Sequence, residues 1–166
     1  MKYFLNWKGF DNPNNPTNKN LQELLHCIGI SINSINNTDQ IGKIFLTNEV
    51  LCLKQNGLQG KLNKAYFENC GYKFLKPLIE IVRPRILIAL GALSYRAILK
   101  TYNRRRVQSG SHGLEVGKVI QLGGRPLREN TLLFPVFHCG VRVININRKL
   151  SDQCSDWNHL GKYVDE

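Results

Sequence analysis

His138 closes the stretch "LLFPVFHCG" (132–140), where an apolar run ends on an imidazole, a thiol and a glycine. A neutral imidazole at the tip of a rigid strand is a hydrogen-bond donor, and its ordinary pKa lies close to neutrality. Asn48 holds a similar place near the middle of "KIFLTNEVLCL" (43–53), where apolar Ile44, Phe45 and Leu46 give way to polar residues. Its amide carries a donor and an acceptor on one rigid plane. Each residue has a plainer alternative. His138 would then be a surface ring bonded to a neighbouring carbonyl, and Asn48 the cap of a turn.

The elements that must carry these side chains follow from patterning. "RPRILIALG" (83–91) is a continuous apolar strand closed by glycine, as expected of a parallel strand covered on both faces. A helix over about 92–102 follows it, and a second strand spans 132–138. Upstream, "DNPNNPTNKN" (11–20) is loop chemistry, with Thr17 or Asn18 placed to cap a helix. Leu21, Leu24, Leu25 and Ile28 then recur at helical spacing until Gly29 stops the run. Residues 62–82 read as helical, with Gly71 and Pro77 giving a kink or two shorter helices. The Arg-, Gly- and Ser-rich region 103–131 is a long excursion with a small hairpin around Gly123–Gly124, and His112 falls in its flexible part. Cys154, Trp157, Leu160 and Val164 mark a last amphipathic helix, capped by Ser151. Strands alternating with helices predict an α/β fold, a three-layer α/β/α sandwich around a small, mostly parallel sheet. Ligands of such sheets bind at the carboxyl ends of the strands, where Asn48, Gly91 and His138 all fall.

The chain of 166 residues, 42% hydrophobic, is enough for one domain over 1–166. It shows no apolar run long enough to cross a bilayer and no signal peptide at Met1. Five cysteines (Cys27, Cys52, Cys70, Cys139, Cys154) without a C-x-x-C pair predict thiols in a reducing, cytoplasmic setting rather than a disulfide framework. With 23 Lys+Arg against 12 Asp+Glu, the net charge of +11 attracts polyanions, and nucleic acid is the expected partner. The rival reading of the charge is solubility or an anionic surface. No G-x-G-x-x-G or P-loop pattern points to a nucleotide-binding domain.

"IFLTNEVLCLK", "RPRILIALG" and "FPVFHCG", in that order, resemble the motif series of the uracil-DNA glycosylase superfamily from about Asn15 to the last helix. The resemblance implies that Asn48 reads the Watson–Crick edge of an extruded base and that His138 contacts a base carbonyl. Cys139 and Gly140 stand where the family carries Pro-Ser. "NPTNKNL" (15–21) resembles the proline loop that touches a phosphate, which makes Pro16 and Thr17 DNA contacts. Phe10 would be the ring that stacks on the base. Arg142 and Arg148 would hold DNA, while Val141–Ile146 either wedges the stack or forms a short strand. A glycosylase must take the base out of the duplex before its bond can be reached. The departing base carries negative charge, and a fixed donor aimed at it acts chiefly in the transition state.

The family's Gly-Gln-Asp type motif, which positions the attacking water, is not found; Asp11 and Glu49 stand outside its context. That motif ends a strand inside the family's sheet. The chain is therefore expected to be N-terminally shortened, or else to be an inactive relative in which Tyr3–Leu5 fills the gap. Cys52 and Cys70 match in spacing two ligands of an iron–sulfur cluster found in some branches, but four thiolates are normally needed. No cofactor and no metal are expected, and the cysteines read as buried thiols. "NRRR" (103–106) is a solvated cluster or a phosphate contact. The expected function is a monomeric DNA-repair glycosylase acting on DNA with uracil or a related damaged base, away from membranes. The alternative is a catalytically inactive DNA-binding relative that keeps the base pocket.

Overall fold

The computed structural model describes residues 15–31, 44–48, 50–51 and 63–164. Along the chain run α1 (Pro16–His26), α2 (Lys64–Cys70), a π-helical turn (Gly71–Leu75), α3 (Lys76–Val82), β1 (Ile86–Leu90), α4 (Ala92–Thr101), α5 (His112–Gln121), β2 (Arg125–Arg128), β3 (Thr131–Val136), α6 (Val141–Ile146) and α7 (Leu150–Gly161). Two compact units hold these elements. The described residues of 46–136 contain the sheet, and the described residues up to 45 with those from 137 onward form a helical unit.

In the helical unit, α1 packs against α7. Leu21, Leu24 and Leu25 are buried on α1, and Gln153, Trp157 and Leu160 on α7. The apolar spacing read from sequence thus marks the packed faces. α7 begins one residue before Ser151, with Lys149 at its cap position, so Ser151 sits inside the first turn rather than capping it. Cys27, at the carboxyl end of α1, and Cys154, on α7, form a disulfide with Cα atoms 5.9 Å apart across 127 residues of chain. This overturns the expectation of separate thiols, because a helix pairing brought together residues that are far apart in sequence. Residues 141–146 form a helix and not a strand, with Gly140 at its cap and the Gly140 carbonyl accepting from Val143 and Ile144 N–H.

The sheet unit has the strand order β1-β3-β2. β1 and β3 are parallel, in register from Ile86↔Leu132 to Leu90↔Val136, whereas β2 and β3 are antiparallel. The α/β fold holds, with a small sheet that is mixed rather than mostly parallel. The β2–β3 turn is Glu129–Asn130, with Asn130 in the left-handed region at φ 59. The hairpin is therefore not at Gly123–Gly124, which instead ends α5. β3 is the central strand and yet holds Pro135, a residue without an N–H. Leu132 N–H donates to Arg85 O, so the backbone groups of residues 132, 134 and 136 face β1, and residues 133 and 135 face β2. β2 pairs no further along β3 than Leu133, so among the described residues the missing donor of Pro135 costs no ladder bond.

Leu75, Ile79, Ala89, Tyr95, Ile98, Leu99, Leu127 and Leu133 form the core between α3, α4 and the sheet. The helical stretch 64–82 runs through without a break. Pro77 lies in the first turn of α3, and the π-helical turn before it absorbs the mismatch in the hydrogen-bond ladder. Residues 44–48 enter no strand, contrary to expectation; Phe45 and Leu46 are exposed and lie beside no ladder among the described residues. No helix among the described residues is long and apolar enough to cross a membrane.

Candidate active site

β3 ends at Val136, two residues before His138, so the imidazole lies in the connection 137–140 and not on the strand. The strand end is held firmly. Val136 O accepts from Gly91 N–H at 2.9 Å and bonds His112 Nε2 at 3.1 Å. A carbonyl can only accept, so the His112 ring carries its proton on Nε2. Burial holds the His112 pKa below its ordinary value, against the pull of that same bond. His112 therefore opens α5 as a neutral anchor and is not part of a flexible stretch. Gly91 reaches Val136 from φ 91, ψ 164, a conformation essentially restricted to glycine.

In the helical unit, the residues after the strand fold back on α1. Gly140 N–H donates to His138 Nδ1 at 2.9 Å. That bond occupies the Nδ1 lone pair, so the neutral ring keeps its proton on Nε2 and the exposed imidazole offers an N–H to solvent. Asn20 Nδ2 donates to Cys139 O at 2.9 Å and ties the turn to α1. A β-carbon at position 140 would stand 3.0 Å from His138 Nδ1, 3.3 Å from Cε1 and 3.9 Å from Thr17 Oγ1. Glycine thus lets the backbone lie against the ring. Two segments singled out in the sequence, Pro16–Thr17 and His138–Gly140, meet here.

The cap of α1 is neither Thr17 nor Asn18. Asn15 Oδ1 accepts from Thr17 N–H at 3.1 Å and from Asn18 N–H at 3.3 Å, with Pro16 in the first turn. Proline suits that place because its missing N–H would have had no helical partner. Cys139 is buried, and burial pushes its thiol pKa up, so it stays protonated and serves packing rather than nucleophilic attack.

Arg142 stands exposed on α6 between the exposed Val141 and Ile146. Arg148 is engaged within its own unit. Its guanidinium forks onto Asp156 with two bonds of 2.7 Å and lies 5.7 Å from the Phe137 ring centre. Such a bidentate pair is the strong form of the interaction. In the "NRRR" cluster, Arg104 and Arg105 are exposed. Arg106 donates to Gly110 O and Ser111 O at 2.8 Å each and stands 3.8 Å from Glu115. Glu115 is buried and accepts from Tyr95 OH at 2.6 Å, Val107 N–H at 2.9 Å and Gln108 N–H at 2.5 Å. Burial alone would raise its carboxyl pKa, but these bonds and Arg106 outweigh burial and hold it below the usual range. Tyr95 is raised, first by burial and then by Glu115. This network pins the loop 104–111.

Asn48 belongs to the sheet unit and is exposed on irregular backbone. Phe10, Asp11, Glu49 and Cys52 lie outside the described residues. Cys70 is buried, and no group of three or more His, Cys, Asp or Glu among the described residues could hold a metal ion. Sequence reasoning missed Asn20 and Asp156. Asn20 is separated from its partner by 119 residues. Asp156 is eight residues from Arg148, a spacing that becomes a contact only once the turn before α7 is formed. The glycine after "HC" was the one visible signal.

A family model described as Uracil DNA glycosylase superfamily matches residues 10–158. No curated protein and no solved structure matches the chain.

Proposed function

This chain belongs to the uracil DNA glycosylase superfamily, and from that premise we propose that it is a DNA-repair glycosylase. The reaction is hydrolysis of the N-glycosidic bond of uracil, or a related damaged base, in DNA. One observation carries the reading. The Gly140 N–H on His138 Nδ1 leaves an exposed Nε2–H, the donor that a departing base anion needs. His138 stabilises that anion, Asn48 reads the base edge, and Phe10 stacks on it. Pro16 and Thr17 steady a phosphate beside the target, which is supported by their place next to the His138 turn. Arg142 holds the backbone, with Val141 and Ile146 beside it as apolar wedges. Arg148 serves this surface indirectly, since its pairing with Asp156 braces the start of α7 against Phe137. The enzyme works as a monomer and needs no cofactor.

Release of uracil from a defined oligonucleotide tests the proposal. His138→Ala should slow release about 10²–10³-fold, the usual cost of one transition-state donor, while DNA affinity changes little. Equal losses in rate and affinity would overturn the transition-state role. The lack of a recognisable water-positioning motif favours a second reading, a DNA-binding relative without catalysis. It predicts binding to uracil-containing or abasic DNA with no base released by the wild type.

A further inference from the structure

Within the sheet unit, Arg128 Nη1 and Tyr102 OH are buried without a hydrogen-bond partner. They lie in each other's field. Burial and then Glu80 raise the Tyr102 pKa, whereas Arg128 lowers it. Lys76 Nζ stands 5.9 Å from the Tyr102 ring centre. Beside Arg128 opens a cleft of about 370 Å³ lined by Arg83, Arg128, Glu129 and Asn130. Its walls are tied together, since Thr131 Oγ1 donates to Pro84 O at 2.7 Å and Leu132 N–H to Arg85 O at 2.8 Å. Arg83 closes α3 in the left-handed region at φ 48, where glycine is the usual residue. Its Nε donates to Glu80 O at 3.3 Å, which leaves the outer guanidinium nitrogens available to the cleft. Lys76, Arg83 and Arg128 outnumber Glu80 and Glu129.

This cleft sits at the amino ends of β1 and β3, the end of the sheet opposite Gly91 and Val136. Two guanidinium groups, Arg83 and Arg128, line one cleft, and a planar guanidinium matches the acceptor spacing of an oxyanion. We propose that the cleft is a phosphate-binding site, with Arg128 and Arg83 as its cationic donors. The phosphate comes either from a DNA backbone or from a free phosphate ester. Neither source involves base excision.

Calorimetric titration of the full chain with inorganic phosphate, and separately with a four-nucleotide oligothymidylate, tests this. Phosphate should bind the wild type, and Arg128→Gln should weaken binding by roughly tenfold or more, the usual cost of one charged hydrogen bond. Arg83→Gly removes a guanidinium while easing the backbone. It should remain folded and also bind more weakly, and it decides the matter if Arg128→Gln does not fold. An oligothymidylate that binds far more tightly than phosphate, and loses that margin in Arg83→Gly, identifies the DNA backbone as the source, and equal affinities identify a free ester. No binding at millimolar phosphate, or unchanged binding in the folded variants, overturns the site. Uracil release enters neither readout, so failure here leaves the glycosylase proposal standing, and the reverse holds too.

Discussion

His138 has its ring proton placed by a backbone neighbour. Because Gly140 N–H already occupies Nδ1, the ring is held in one tautomer and one orientation before any ligand arrives. That arrangement depends on the absence of a side chain at 140, where a β-carbon would press on the ring at 3.0 Å. The Gly140 backbone is at φ −68, ψ 145, which any residue adopts, so space and not conformation requires glycine. Gly140→Ala should therefore fold with nearly unchanged thermal stability yet lose at least about tenfold in base release, a loss equivalent to about 1.4 kcal/mol. Far-ultraviolet circular dichroism alongside a single-turnover excision assay separates the two effects. Unchanged release would mean that the ring tolerates displacement and that its pinned orientation is immaterial.

At the scale of elements, the end of β3 is fixed from two sides, by the strand–helix turn at Gly91 and by the first residue of α5 through His112. Both His112 and Glu115, three residues later on α5, have pKa values lowered in the folded chain, and the sign of the pH effect follows. Below about pH 6.5, the ordinary histidine value, the unfolded chain takes up a proton at His112 that the folded chain resists. Below about pH 4.5 the same holds for Glu115, whose stabilisation is lost as pH falls through its lowered folded value. Stability should therefore be fullest above pH 6.5 and decline in two steps on acidification. Urea denaturation at pH 7 and pH 5 measures the first step. His112→Gln, which keeps a donor and cannot titrate, should flatten that step and leave the lower one. A wild type equally stable at pH 5 and pH 7 would contradict the neutral anchor.

For the whole molecule, the disulfide between Cys27 and Cys154 spans nearly the full chain. It ties α1, which carries Thr17 and Asn20, to α7, which holds Arg148 through Asp156. Closing so long a loop restricts the unfolded ensemble, and reduction should lower stability by about 2–4 kcal/mol. Thermal denaturation with and without a thiol reductant, beside a Cys27→Ser variant insensitive to the reductant, measures it. Identical melting in all three samples would show that the crosslink adds nothing. The charge of +11 acts at this scale as well, drawing the protein to polyanions over a range set by ionic strength.

Local rules made much of this protein legible in its sequence. The apolar spacing of Leu21, Leu24 and Leu25, the run through Ile86–Leu90 and the glycine at 91 each imply their element, because helix and strand periodicity act between near neighbours. The order of three motifs was enough to indicate the family. What the sequence could not display were pairings across long stretches of chain. These include Asn20 on Cys139, Cys27 on Cys154, His112 on Val136, and the antiparallel placing of β2. Residues 141–146 likewise alternate as a strand would, yet they coil from the Gly140 cap into a helix. Periodicity fixes which face of an element is apolar, but only packing selects its neighbour, and His138 received its tautomer and its setting from neighbours.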